Sequence, residues 1–139
     1  MELPAATKEA SNRLAAVPAS TLSRTPEIWE AWARAQFEAN DYQQAIQGYG
    51  EAIRLDPQNP RLHYHYAIAL KYAGRPRTEV MEELGQAMRL ARQDQDLRWR
   101  EKIYASYTFN ALYLPKPQGY ELARAALSPR SFSQANCCP

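Results

Sequence analysis

A spacing of about 34 residues recurs along this chain. Trp29 to His63 is 34 residues, and so is Trp32-Ala33 to Tyr66-Ala67, while Ala52 to Ala87 and Leu55 to Leu90 are 35. A period of that length marks a stacked repeat: one helix-turn-helix unit cannot bury its apolar face alone and covers it with a copy of itself. Residues 26–59, PEIWEAWARAQFEANDYQQAIQGYGEAIRLDPQN, carry the unit in its clearest form. Thr25-Pro26 predicts a helix start, with Thr25 placed as N-cap and Pro26 pre-setting the first turn. This helix should run to about Ala39 with Trp29, Trp32, Ala33 and Phe37 on one side. Asn40-Asp41 breaks it, and Asp41 with Gln44 three residues on forms a capping-box pattern for the next helix. That second helix carries Tyr42, Ala45, Ile46, Tyr49, Ala52, Ile53 and Leu55, and Asp56-Pro57 stops it.

The same grammar restarts at Asn59-Pro60. Leu62, Tyr66, Ala67 and Leu70 form the stripe of a third helix, with Gly74 placed for a left-handed C-cap. Pro76 opens a fourth helix with Val80, Leu84, Ala87, Met88 and Leu90 inward. A polar turn at 93–96 precedes a fifth, from Leu97 to Leu114, whose Trp99, Ile103, Tyr104, Tyr107, Ala111 and Leu114 repeat at three- and four-residue steps. Pro115-Lys116-Pro117 breaks it ahead of a short helix from Gln118 to about Leu127. Before the repeat, Ala6, Ala10, Leu14 and Val17 give a weak helical stripe between Pro4 and Pro18. The expected organisation is an N-terminal helix and connector over 1–25, a helical repeat domain over 26–127 and a disordered tail over 128–139.

These residues carry a family likeness. Counted from Pro26, an aromatic stands at position four (Trp29) and a large-small pair at seven and eight (Trp32-Ala33). A small residue stands at twenty (Ala45), an aromatic at twenty-four (Tyr49), an alanine at twenty-seven (Ala52) and a proline at thirty-two (Pro57). In this the segment resembles a tetratricopeptide repeat (TPR). The resemblance implies an all-α solenoid of antiparallel helix pairs, about six to seven helices in all. Close approach of the paired helices needs small residues at their crossing, hence Ala33 facing Ala45. Residues 60–92 keep Tyr66-Ala67, Gly74, Ala87 and Leu90, but Val80 stands where a small residue belongs, so a wider crossing is expected there. A third unit, about 97–127, is degenerate and keeps only Tyr120, Ala123 and Leu127 in register. The N-terminal helix over 5–17 either covers the open face of the first unit or is loose and leaves that face available to another chain.

Composition narrows the function. A net charge of +2 does not demand a polyanionic partner. No apolar run reaches the roughly 18 residues of a membrane span, and Met1–Ala10 lacks the order of a signal peptide, so a cytoplasmic protein is expected. The two cysteines, Cys137 and Cys138, are neighbours near Pro139 and leave no third ligand for a zinc site. His63 and His65 share a helix but point about 200° apart, so they read as surface or groove histidines and not as a metal pair. No nucleophile-base set and no glycine-rich phosphate loop occurs, and Glu82-Glu83 beside Arg89 and Arg92 reads as a solvated helix face. Neither an enzyme nor a cofactor is expected. An alternative reading takes Arg89, Arg92, Arg98, Arg100 and Lys102 around Trp99 as a nucleic-acid patch, although Asp94, Asp96 and Glu101 dilute its field.

The resemblance also implies where a partner would bind. Its ligand groove is concave and lined by the first helix of each repeat. The family's groove positions fall here on Glu27, Glu30, Arg34 and Phe37 in the first unit, and on Arg61, Tyr64, Ile68 and Lys71 in the second. That mixed surface suits an extended peptide or partner helix with apolar anchors and some acidic character, with Phe37 and Tyr64 expected to be exposed. A chaperone tail is disfavoured, because Glu30 and Arg34 stand where a carboxylate clamp would place lysine and asparagine. The expected function is a protein-interaction scaffold or adaptor, free or within a larger assembly, that binds a peptide in its groove or self-associates through its ends.

Overall fold

The computed structural model describes residues 5–93 and 96–128. Its elements are α1 (Ala5–Ala15), a 3-10 turn (Ala19–Thr21), α2 (Pro26–Glu38), α3 (Tyr42–Leu55), α4 (Pro60–Tyr72), α5 (Arg77–Ala91), α6 (Leu97–Ala111) and α7 (Gln118–Leu127). No strand occurs among the described residues, and none of their helices is long and apolar enough to cross a membrane. The fold is all-α, and each helix packs chiefly on its neighbours in sequence. The expected disordered tail, with Cys137 and Cys138, lies outside the described residues apart from Ser128.

Sequence chemistry at the turns sets the helix directions. At the end of α2, Asn40 adopts φ 64, and at the end of α4, Gly74 adopts φ 75. Both close their helices with the same pair of bonds: Asp41 N to Gln36 O and Asn40 N to Phe37 O, then Arg75 N to Leu70 O and Gly74 N to Lys71 O. Asparagine and glycine are the residues that enter the left-handed region at least cost, so the turn repeats with the period. Asp41 caps α3 by accepting from Gln44 N at 3.2 Å, and Asn59 caps α4 by accepting from Arg61 N at 3.1 Å. Thr25 does not cap α2; its hydroxyl lies 3.3 Å from Ser23 Oγ instead. The fifth predicted helix ends earlier than Leu114, at Ala111.

Packing divides between two clusters. Ala33, Ala45, Tyr49 and Ala69 form the smaller one, where α2, α3 and α4 meet. The larger runs through Ala67, Leu70, Val80, Leu84, Ala87, Ile103, Tyr104 and Ala111 to Ala123 and Ala126, and Ile46 and Tyr66 pack against both. Val80 is buried in this second cluster. The tightest point of the α2–α3 crossing is a residue that the helical stripe does not mark. A Cβ on Gly48 would stand 2.7 Å from the Ala33 Cβ and 2.8 Å from the Trp32 ring.

The N-terminal helix is fastened to α2 by side chains reaching its last carbonyl and one in the segment just after it. Trp32 Nε1 donates to Val17 O at 2.9 Å, and Gln36 Nε2 donates to Ala15 O at 2.6 Å. Ser11 Oγ donates to Glu38 Oε2 at 2.6 Å. Hydrogen bonds to carbonyls at and just beyond the end of α1 help to position it on α2. At the other joint, Arg100 donates to Ala91 O and Arg92 O, tying α6 to the end of α5.

Because the Gly48 crossing has no room for a side chain, Gly48→Ala should destabilise the fold by about 1–3 kcal/mol, and Ala45→Leu by a similar amount. Thermal melts followed by circular dichroism measure both. An unchanged melting temperature for either would show that the crossing tolerates the added volume.

Candidate functional site

The first helices of successive pairs, α2, α4 and α6, share one face. Two sets of contacts fix their relative direction. Near their N-terminal halves, Tyr64 of α4 meets Trp99 of α6 with ring centroids 5.7 Å apart, and Lys102 Nζ stands 5.6 Å from the Tyr64 ring. Near their C-terminal ends, Phe37 of α2 meets Tyr72 of α4 at 5.2 Å, and Lys71 Nζ stands 5.3 Å over Phe109 of α6. Between α4 and α6 start meets start and end meets end, so these two run parallel, and α2 meets α4 end to end.

The N-terminal half of this face is aromatic and cationic. His65 stacks on Tyr49 at 5.7 Å with planes 14° apart, and meets Trp99 edge-on at 5.4 Å. Arg61 Cζ lies 5.9 Å and Lys102 Nζ 5.0 Å from the Trp99 ring centre. Arg34 adds a third cation near His65, held 3.6 Å from Glu30 across one helical turn. α4 contains no carboxylate at all, and the sole acidic residue of α6 is Glu101. The C-terminal half is an aromatic ledge of Phe37, Tyr42 and Tyr72, with Phe109 and Tyr113 5.0 Å apart beside it. Tyr72, Phe109 and Tyr113 are 58%, 51% and 62% exposed.

The residues expected to line the groove divide by burial. Glu27, Arg34, Arg61 and Lys71 are exposed, and Glu30 is half-buried in its pair with Arg34. Tyr64, expected to be exposed, is buried at 8% and belongs to the larger core cluster, where Trp99 and Ile103 pack. Phe37 is half-buried against Tyr42 and Tyr72, and Ile68 is half-buried against the core. Tyr72, His65, Trp99, Lys102 and Phe109 complete the face. Helical spacing alone assigns Trp99 to the core and Lys102 to a different patch.

That other patch does not hold together as one stripe. Arg92 Nε donates to the Tyr104 hydroxyl at 3.3 Å, Arg100 binds helix-end carbonyls, and Arg89 donates to Gln86. Lys102 turns to the α4 side, and Arg98 projects into solvent with 95% of its side chain exposed. Among the described residues, no group of three or more His, Cys, Asp or Glu side chains is gathered to hold a metal ion.

Residues 33–74 match the family model described as TPR repeat. A TPR repeat is thus identified over residues 33–74. The match begins at Ala33, in the α2–α3 crossing, and ends at Gly74, the cap of α4. No curated protein matches the chain.

The two histidines within this matched segment face opposite sides of α4, as their two-residue spacing requires. His63 is buried at 7%, not a surface residue. Its Nδ1 lies 3.0 Å from Glu83 Oε2 and its Nε2 2.9 Å from Pro57 O. Glu83 is therefore the anchor of a buried histidine, not part of a solvated face. Burial opposes the imidazolium there, but the hydrogen bonds to Glu83 and Pro57 outweigh it, and the pKa rises. His65 behaves oppositely: burial, then repulsion from Arg34, Lys102 and Arg61, lowers its pKa from 6.5 to about 4. It is a neutral ring among cations at neutral pH.

Linkage gives the two histidines opposite effects on stability. Between pH 6.5 and about 4 the unfolded chain binds a proton at His65 that the folded chain refuses, so His65 removes stability as pH falls through that window. His63 contributes fully below pH 6.5, and its contribution is lost as pH rises through its raised folded value. His65→Phe should therefore flatten the decline in melting temperature on acidification from pH 6.5 to 4. An equally steep decline in that variant would mean that other groups cause it.

Proposed function

We propose that this TPR chain is a non-catalytic protein-interaction module, a scaffold or adaptor that takes an acidic peptide or partner helix on the face formed by α2, α4 and α6. The observation that carries the reading is the convergence of Arg34, Arg61 and Lys102 on the aromatic floor of His65, Trp99 and Tyr49. Cations over aromatic rings in a partly desolvated site attract an anionic group more strongly than the same cations free in water. A neutral His65 adds no competing charge to the ligand and leaves a flat surface for packing. Glu27 and Glu30, at the α2 margin, disfavour a ligand whose negative charge spreads over the whole face.

Binding is tested by comparing the native chain with Arg61→Glu/Lys102→Glu in pull-downs of its protein partners, with Arg98→Glu as a control for net charge. The double variant should lose its specific partners by at least about tenfold, or 1.4 kcal/mol, while the control keeps them. Equal recovery by all three proteins would remove this face from consideration.

Self-association through the ends is a second reading, and it has its own observation. Leu112, Tyr120 and Leu127 are 47%, 51% and 57% exposed at the α6–α7 end of the stack. Exposed apolar groups on a terminal helix pair suit another apolar surface. Sedimentation at micromolar concentration should show a dimer that Tyr120→Ser/Leu127→Ser dissociates; a monomeric native chain would contradict the reading.

A further inference from the structure

The turns inside the second and third helix pairs form a surface that the interaction reading does not use. Lys71 stands at the end of α4, Arg77 at the start of α5, and residues 109–120 span the end of α6 and the start of α7. A chain of contacts joins these segments. Lys71 Nζ is 5.3 Å from the Phe109 ring centre, Phe109 and Tyr113 are 5.0 Å apart, and Arg77 Cζ is 4.9 Å from the Tyr113 ring. Arg77 is fixed there by donating to Asn110 Oδ1 at 2.8 Å. The start of α7 packs against the same place, because a Cβ on Gly119 would stand 3.1 Å from Leu114 O. Lys116 Nζ is 5.0 Å from the ring of the next residue, Tyr120. Three cations are thus laid on three aromatic rings along one edge of the molecule.

This edge is cationic and apolar together. Residues 71–78 and 109–120 contain Lys71, Arg75, Arg77 and Lys116 and no carboxylate. Glu79, just beyond the first segment, is taken up by Arg75, which donates to both its oxygens at 3.0 and 3.2 Å. Just beyond the second, Glu121 is the acidic residue in the first turn of α7. Phe109, Tyr113 and Tyr120 are each more than half exposed, and Leu112 nearly so. The corresponding turn of the first pair has the opposite charge: residues 37–43 hold Glu38 and Asp41 and no cation.

Projecting rings with cations laid against them suit the boundary between lipid and water. Tyrosine places its ring below the headgroups and its hydroxyl among them, and lysine and arginine reach the phosphates from stems that lie on apolar surface. An isologous contact with a second copy would bring the cations together and repel. A protein partner would need carboxylates opposite three separate cations and a rigid surface shaped around the rings. A fluid anionic leaflet supplies the charge without a fixed shape.

We propose that the edge formed by Lys71, Arg77, Phe109, Tyr113, Lys116 and Tyr120 docks on an anionic membrane surface. The rings enter the headgroup layer and the cations pair with the anionic headgroups, with no helix crossing the bilayer. Lys102 lies seven residues before Phe109, about 10 Å further along α6. The cluster of Arg61 and Lys102 around Trp99 is therefore a separate site, and the inference does not depend on the interaction reading.

The test sediments the full chain with vesicles of phosphatidylcholine alone or with about one-third phosphatidylserine. Binding to the anionic vesicles should be at least about tenfold stronger and should fall with added salt. Lys71→Gln/Arg77→Gln/Lys116→Gln should weaken it about a hundredfold, at roughly fivefold per cation. Tyr113→Ser/Tyr120→Ser should weaken it by about tenfold. Lys8→Gln/Arg24→Gln/Arg98→Gln, with the same change in net charge, and Arg61→Gln/Lys102→Gln should bind as the native chain does. Circular dichroism checks that each variant folds, and Lys71→Gln/Lys116→Gln replaces the first if loss of the Arg77–Asn110 bond unfolds it. No preference for anionic vesicles would overturn the proposal. Equal loss in the Lys8/Arg24/Arg98 variant would also overturn it, reducing binding to net charge. Loss confined to the Arg61/Lys102 variant would overturn it by moving the contact to the other site. The pull-downs test the interaction reading separately, so vesicle binding can fail while that reading stands.

Discussion

The closeness with which α2 and α3 cross governs both the N-terminal cover and the face shared by α2, α4 and α6. Gly48 lets Trp32 and Ala33 approach a helix backbone where even a methyl group has no room. Trp32 is thereby held flat enough for its indole nitrogen to reach Val17 O, which positions α1. Tyr49, one residue after Gly48, is brought up to Ala33 and Ala69, and its ring becomes the surface on which His65 stacks. One crossing distance thus connects the cover over the first unit to the floor of the shared face.

The repeated turn extends that order along the chain. Asn40 and Gly74 end their helices with the same left-handed residue and the same two hydrogen bonds, so α2 and α4 leave their turns alike. A pair that always reverses direction returns every first helix to the same heading. Parallel first helices place like positions side by side, and side chains a fixed number of residues apart then form rows. The rows on this face are a consequence of the period, before any particular side chain is considered.

Those features differ in how far the sequence exposes them. Helix positions and turns are legible because proline, asparagine, aspartate and glycine act locally at Asp41, Pro57, Asn59 and Gly74. The all-α repeat is legible because its spacing is arithmetic. Burial on the shared face is not, since it depends on what the next unit brings. Tyr64 stands at a groove position of the second unit, yet the irregular third unit places Trp99 and Ile103 around it and buries it. His63 looks like a surface residue until α5 supplies Glu83 and the preceding turn supplies Pro57 O. Lys102 looks like part of a basic run until the direction of α6 turns it toward α4. In each case at least one deciding neighbour lies about 20 to 40 residues away, beyond the reach of a local pattern.

The departure of the third unit from the repeat pattern has a physical consequence for the face. In the first unit, Arg34 is balanced by Glu30 one turn away, and Glu27 adds further negative charge. α4 has no carboxylate, and α6 carries Glu101 off the Lys102 side. Positive charge is therefore concentrated on α4 and α6 and not on α2, and the aromatic rings of Trp99 and Phe109 are supplied there by the most irregular unit. Regular repetition builds the rows on this face, and the irregular unit gives them polarity. A uniform repeat would present equivalent sites along the stack and could not fix which end of an asymmetric peptide goes where.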